Sequence, residues 1–149
     1  MNRLFPIWRA NAMTKQTDFA YHLTNYLTAY LPRVKNFSVN TIRSYRDTFK
    51  LLMLYCAEEL HIPTRKLKIQ TFSPQLVYEF TGWLKEKRGN SIATANQRLA
   101  AIHAFFRYLQ GREPQYLFQC QQILAIELAK DTKSMIEYLS VEDLQLIFK

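Results

Sequence analysis

Glycine and proline are scarce in this chain, which has three glycines and five prolines among its 149 residues. Hairpin turns depend on such residues, and no stretch alternates strictly between apolar and polar side chains, so the sequence argues against a β-sheet. Glycine-rich phosphate loops and the G-x-S-x-G turn of serine hydrolases are absent. No apolar run approaches the roughly 20 residues that span a bilayer, so we expect no association with a membrane.

Residues suited to metal or redox chemistry are equally few, with two cysteines and three histidines. Cys56 and Cys120 lie among apolar residues at helical spacing, which predicts buried free thiols in a reducing cytoplasm. The histidines fall on separate predicted elements, and none belongs to an H-x-x-x-H or H-x-x-E pattern. We therefore expect no metal and no cofactor. Glu58 and Glu59 are adjacent carboxylates that point apart on a helix, so we expect them to be solvated.

Positive charge is the most pronounced compositional feature that remains. The chain has 20 lysines and arginines against 12 aspartates and glutamates, which gives a formal net charge of +8. Such an excess favours a polyanionic partner, which means DNA, RNA or an anionic surface, although charge that serves only solubility is an alternative. Hydrophobic residues make up 48% of the chain, which is enough for a core.

Apolar residues recur at helical spacing along most of the chain, and the sequence predicts an all-α fold, a compact bundle of four to five helices. Asp18 suits the cap of a first helix that reaches about Leu31, and Pro32 is expected to end it. Ser38 opens a second helix, which ends before Pro63.

Serine also marks the start of the next two predicted helices. Ser73 and Pro74 suit the cap and first turn of a third helix, which ends at Gly89. Ser91 opens a fourth helix that ends near Gly111, and a fifth is predicted at about 115–126. The predicted core positions of the third and fourth helices are Leu76, Val77, Phe80, Trp83, Leu84, Ala95, Leu99, Ile102, Phe106 and Leu109.

The chain divides into four predicted regions. Residues 1–17 are expected to be a flexible leader, 18–126 a helical domain, 127–137 an interdomain linker and 138–149 the start of a further, truncated domain. Ser140 suits the cap of a helix in this last region, and acidic residues follow in its first turn. That helix has scarcely begun at the last residue, so its apolar side has no partner within the sequence.

Two of the helix openings resemble each other. Each has a serine cap, a threonine three residues later, and amide, hydroxyl and guanidinium side chains within the first two turns. Unpaired backbone N–H groups and partial positive charge make such an end suited to phosphate. The candidate nucleic-acid contacts are Asn40, Thr41, Arg43 and Ser44 in the first copy, and Arg98 is a candidate in the second.

Each candidate has a plainer alternative. The openings are also consistent with ordinary caps on a solvated helix face. Arg98 borders the apolar stripe, so it is expected either to hold two helices together or to contact DNA. His103 and Arg107 are expected on a solvated face, with a position facing DNA as the alternative. Lys130 and Lys133 in the linker suit either a phosphate backbone or solubility.

These residues resemble the core-binding, SAM-like domain of tyrosine recombinases, the phage-integrase-type site-specific recombinases. The run Ser38-x-x-Thr41-x-x-x-Tyr45-Arg46 is similar to the second helix of that domain. The run from Ser91 to Leu109 is similar to its fourth helix. The segment 138–143 is similar to the point where the family's catalytic domain begins.

The resemblance implies a helical bundle that forms one half of a C-shaped clamp, with its second and fourth helices against the major groove. It implies double-stranded DNA and sister recombinase protomers as partners, with no small-molecule substrate. By position it assigns DNA contacts to Asn40, Thr41, Arg43 and Ser44 in the first opening, to Thr94, Asn96, Gln97 and Arg98 in the second, and, where the linker passes the backbone, to Lys133.

The family's tyrosine nucleophile and its catalytic arginines, lysine and histidine-type residues would follow the last residue of this sequence, and no H-x-x-R pattern is present. We therefore expect DNA binding without catalysis by this chain. A helical protein-interaction domain with a basic surface is the alternative. A helix-turn-helix regulator fits less well because the breaks between the helices are long.

Overall fold

The computed structural model describes residues 15–130 and, by itself, residue 145. The predictions for most of the leader, for Lys133 and for the helix after Ser140 fall outside the described residues. Within 15–130 the chain forms five α-helices and no strand, which confirms the all-α fold. The helices are α1 (Asp18–Asn25), α2 (Val39–Glu59), α3 (Pro74–Glu86), α4 (Ile92–Gln110) and α5 (Leu117–Leu124).

Shorter helical segments join these elements. A π-helical segment, Tyr26–Val34, continues α1, and 3₁₀ turns occupy Thr64–Lys66, Ile69–Thr71 and Pro114–Tyr116. In the part of the chain that the structure describes, no helix is both long enough and apolar enough to cross a bilayer.

All three predicted serine caps are confirmed. The hydroxyls of Ser38, Ser73 and Ser91 each accept a hydrogen bond from the backbone N–H three residues later, at 3.1 Å. Each of these contacts pairs an amide that the helix itself leaves free. Gly89 has a φ of +67°, and the Asn90 N–H donates to the carbonyl of Leu84 at 2.9 Å, which closes the end of α3 as predicted.

The prediction that Asp18 caps α1 is wrong, because Thr17 is the cap. The Thr17 hydroxyl accepts from the Ala20 N–H at 3.1 Å. The Asp18 carboxylate instead accepts from the backbone N–H of Ile69 at 2.9 Å and from the hydroxyl of Tyr116 at 3.2 Å. It therefore ties the start of α1 to two distant turns.

Pro32 does not end the first helix, contrary to the prediction. It lies inside the π-helical segment, whose wider turn accommodates a residue that has no N–H to donate. The helix continues to Val34, and Asn36, two residues later, has a left-handed φ of +55°. Beyond it, the Phe37 N–H donates to the carbonyl of Leu31 at 3.0 Å.

Helix α4 lies at the centre of the bundle and contacts α2, α3 and α5. The Phe105 ring packs against Phe19 at a centroid distance of 6.0 Å and against Tyr26 and Phe49 at 5.2 Å. Burying a phenylalanine stabilises a fold by about 1.5–3 kcal/mol, so this cluster contributes a large share of the stability. All ten predicted core positions of α3 and α4 are buried.

Helix α5 is shorter than predicted and buries fewer residues. Its apolar residues Leu117 and Phe118 are 42% and 72% exposed. Cys120 and Ile123 are its buried residues. Both thiols are free and buried, as predicted, and burial raises the pKa of Cys56 to about 11.

Candidate nucleic-acid interface

The two serine-capped openings have nearly the same local geometry. Ser38 has φ −65° and ψ 159°, and Ser91 has φ −66° and ψ 163°. In each opening the cap hydroxyl is hydrogen-bonded to the threonine hydroxyl three residues on, at 2.9 Å for Thr41 and 3.0 Å for Thr94. The similarity in sequence therefore extends to structure, and both threonine hydroxyls take part in the caps.

The first opening presents free polar side chains to solvent. Asn40, Arg43 and Ser44 are all exposed on the first turns of α2. None of their side chains makes a hydrogen bond to another described residue. Positions three and four residues apart lie on one face of a helix, so these donors are available together to a ligand at the helix end.

The second opening uses two of its candidate residues within the protein. The amide of Asn96 donates to the Ala129 carbonyl at 2.7 Å and accepts from the Ala129 N–H at 2.9 Å. Asn96 therefore holds the segment that follows α5 against α4. Gln97, the next residue, is exposed, and its side chain is hydrogen-bonded to no residue in 15–130.

Arg98 points into the bundle and is half-buried. Its guanidinium donates to the Asn90 side chain at 3.3 Å and to the hydroxyl of Thr48 at 3.4 Å. Thr48 is a buried residue of α2 that is 2% exposed. Of the two roles considered for Arg98, these contacts favour the one in which it joins α4 to α2.

The expectation that His103 lies on a solvated face is wrong. His103 is half-buried, and its Nε2 is buried without a hydrogen-bond partner in the part of the chain that the structure describes. Burial lowers the pKa of His103, and a backbone hydrogen bond with Ile123 only partly opposes that effect. Glu59 is exposed, yet its carboxylate accepts from the indole N–H of Trp83 at 3.2 Å.

The sequence analysis missed a group of aromatic and cationic residues beside the first opening. Tyr26 and Tyr30 stack at 5.7 Å, and Tyr108 packs against both, at 4.8 and 4.6 Å. The Arg112 guanidinium lies 3.7 Å from the ring centroid of Tyr108. The spacing of Tyr26 and Tyr30, four residues apart on one helix face, is the signal in the sequence, but the same spacing is typical of core residues. Within 15–130, no three His, Cys, Asp or Glu residues converge on a metal site.

Comparisons with known proteins agree with this architecture. Residues 24–113, more than half of the chain, match the family described as phage integrase, N-terminal SAM-like domain. The chain is 33% identical over 128 residues to the integrase/recombinase y4rC of Sinorhizobium fredii, and 32% identical over 118 residues to y4rD of the same organism. It is 26% identical over 118 residues to the tyrosine recombinase XerC of Syntrophus aciditrophicus. No solved structure gives a significant match.

The matches cover most of this chain but a minor part of each relative. They include 86%, 79% and 77% of the chain, and 39%, 42% and 36% of the length of the respective relative. The five-helix architecture, the extent of the family match and the identity to both integrase/recombinases lead to one assignment. The chain belongs to the phage integrase family and contains its N-terminal SAM-like domain.

Proposed function

We propose that this chain binds duplex DNA as the core-binding half of a site-specific tyrosine recombinase clamp, and thereby supports DNA integration or recombination. One observation carries the proposal, namely the three exposed and unbonded donors Asn40, Arg43 and Ser44 at the N-terminus of α2. Membership of the phage integrase family also supports DNA binding.

The α2 opening combines the two kinds of contact that DNA binding requires. Free backbone N–H groups and the helix dipole attract phosphate, which fixes orientation on the duplex. Arg43 suits a phosphate or the O6/N7 edge of guanine, and Asn40 suits an adenine edge. On α4, the exposed Gln97 is a further proposed contact, whereas Thr41 and Thr94 act through their caps.

Asn96 and Arg98 have a supporting role in this proposal, because their side chains bond to Ala129 and Thr48. Asn96 sets the path of the linker, along which Lys133 would follow the DNA backbone. The proposed organisation keeps residues 18–126 as the DNA-binding domain, with 1–17 as a leader, 127–137 as a linker and 138–149 as the start of a catalytic domain.

Strand cleavage lies outside the proposed role of this chain. The sequence contains no H-x-x-R pattern, and no tyrosine can be assigned as a nucleophile. We propose that cleavage belongs to a full-length tyrosine recombinase that acts in the cytoplasm with sister protomers on DNA.

A gel-shift comparison of two arginine variants tests the proposal. Arg43→Ala removes a donor at the α2 opening, and Arg65→Ala removes an exposed arginine from the 3₁₀ turn Thr64–Lys66. We expect Arg43→Ala to weaken duplex binding by roughly tenfold, as expected for a charged hydrogen bond, and Arg65→Ala to have little effect. Equal effects of the two variants, with the helical circular dichroism intact, would show that the α2 opening is not the contact surface.

A pull-down with and without nuclease separates the proposal from the alternative of a basic protein-interaction domain. If DNA is the partner, captured proteins are lost on nuclease treatment. A protein that is retained after nuclease treatment, and whose capture depends on Arg43, would instead favour the alternative.

A further inference from the structure

A cavity of about 360 Å³ opens between the π-helical segment, the start of α2 and the end of α4. Lys35, Arg107 and Arg112 line it, and no carboxylate does. All three cationic residues are exposed. Their charge is therefore available to an anion that enters from solvent.

Buried tyrosines form another part of the lining. Tyr26 is 2% exposed and Tyr108 is 8% exposed, and both line the cavity. Neither hydroxyl makes a hydrogen bond to any residue within 15–130. Burial, the largest cause, raises the pKa of Tyr26, so its hydroxyl keeps its proton at physiological pH and remains a donor. A hydroxyl that lines an open cavity and bonds to no protein group can donate to a ligand with an acceptor oxygen.

The guanidinium of Arg112, at one side of the cavity, is held in place by the protein itself. The Arg112 guanidinium lies 3.7 Å from the ring centroid of Tyr108 and 5.1 Å from that of Tyr30. It also donates to the Tyr108 carbonyl at 3.3 Å. A fixed charge loses little conformational entropy on binding, which favours affinity.

We propose that this cavity binds a phosphate group, which accepts a hydrogen bond from the Tyr26 hydroxyl and is neutralised by Arg107, Lys35 and Arg112. Phosphate oxygens suit both neutral donors and arginine. Phe37, the residue before the Ser38 cap, also lines the cavity, so a duplex held at the α2 opening would bring its backbone close. A phosphate of that backbone and a free phosphate compound share this chemistry, and the DNA source rests on the proposed function.

Two variants and two matched controls test the cavity. Tyr26→Phe removes the hydroxyl and keeps the packed ring, and Arg107→Gln removes an exposed charge. Tyr78→Phe and Arg65→Gln change exposed residues of the same types outside the cavity. The affinity for a labelled duplex is measured by fluorescence anisotropy, and the affinity for pyrophosphate by calorimetry. Circular dichroism checks folding, and if Tyr26→Phe fails to fold, Arg107→Gln carries the test.

If the ligand is a DNA phosphate, each cavity variant weakens duplex binding by about tenfold and pyrophosphate competes with the duplex. If the ligand is a free phosphate compound, the variants lose pyrophosphate binding and duplex affinity stays the same. Both outcomes support phosphate binding in the cavity. If the wild-type chain binds the duplex and neither variant changes duplex binding or pyrophosphate binding, the cavity is not a phosphate-binding site. The proposed function then remains intact. Failure of the wild-type chain to bind DNA rejects the proposed function, and the pyrophosphate measurement still tests the cavity.

Discussion

Arg43 and Asn96 each lie five residues after a cap serine, and the two side chains have different partners. The Arg43 guanidinium is exposed and contacts no acceptor within 15–130, whereas the Asn96 amide is bonded twice to Ala129. The difference gives the two openings distinct roles. The first is suited to a ligand, and the second holds the chain that leaves the bundle.

The cap serines make a testable contribution to stability. Ser38→Ala and Ser91→Ala each leave a backbone N–H without its partner, so each is expected to lower the free energy of unfolding by about 1 kcal/mol. Urea unfolding measures this change. Ser44→Ala is the control, because the exposed Ser44 side chain has no bond to a described residue, and a loss of the same size there would refute the cap interpretation.

The buried ring of His103 predicts a pH effect. Its pKa is below the ordinary value of 6.5, so below about pH 6.5 the unfolded chain takes up a proton that the folded chain does not. Stability is therefore complete above that pH and falls as the pH decreases. Urea unfolding at pH 7 and pH 5 should show a smaller loss for His103→Gln than for the wild type. His61→Gln, at an exposed site, should retain the full loss, and equal slopes for all three proteins would contradict the prediction.

At the scale of secondary-structure elements, local contacts were predictable from the sequence and distant contacts were not. A cap serine satisfies an amide three residues away, so a short pattern identifies it. The Asn96–Ala129 contact joins residues 33 positions apart, and the Arg98–Thr48 contact joins residues 50 apart. No local pattern encodes such pairs, so the sequence predicts Asn96 as a DNA contact and leaves two alternative roles for Arg98.

The π-helical segment is a second case in which context overrides a local rule. Pro32 predicts a helix end because it lacks an N–H, but a wider turn carries the helix to Val34, three residues beyond Leu31, and the left-handed Asn36 follows. Packing of Tyr26 and Leu31 in the core favours this longer path, since both are almost fully buried.

The contact between α4 and the segment after α5 predicts a local change in dynamics. Asn96→Ala removes the acceptor of the Ala129 N–H, so hydrogen exchange at that amide should become roughly twofold to tenfold faster. Exchange in the α4 core should be unchanged. Gln97→Ala is the neighbouring control, and if it accelerates exchange at Ala129 equally, the side-chain contact does not hold the segment.

At the scale of the whole molecule, the helical bundle carries an excess of cations with few internal partners. The formal net charge of the chain is +8, and His22–Glu113 is the single side-chain pair within ion-pair distance among residues 15–130. Most lysine and arginine charges are therefore not neutralised by neighbouring carboxylates. Together with the exposed donors at the α2 opening, this charge favours association with the DNA backbone.

Fluorescence anisotropy across a salt series tests that association by measuring the affinity of the wild-type chain for duplex DNA. Binding that neutralises several phosphates releases counterions, so the logarithm of the affinity should fall linearly with the logarithm of salt, with a slope of about −3 or steeper. A duplex affinity that stays constant between about 50 and 200 mM salt, or no measurable binding at the lower concentration, would contradict DNA binding by this chain.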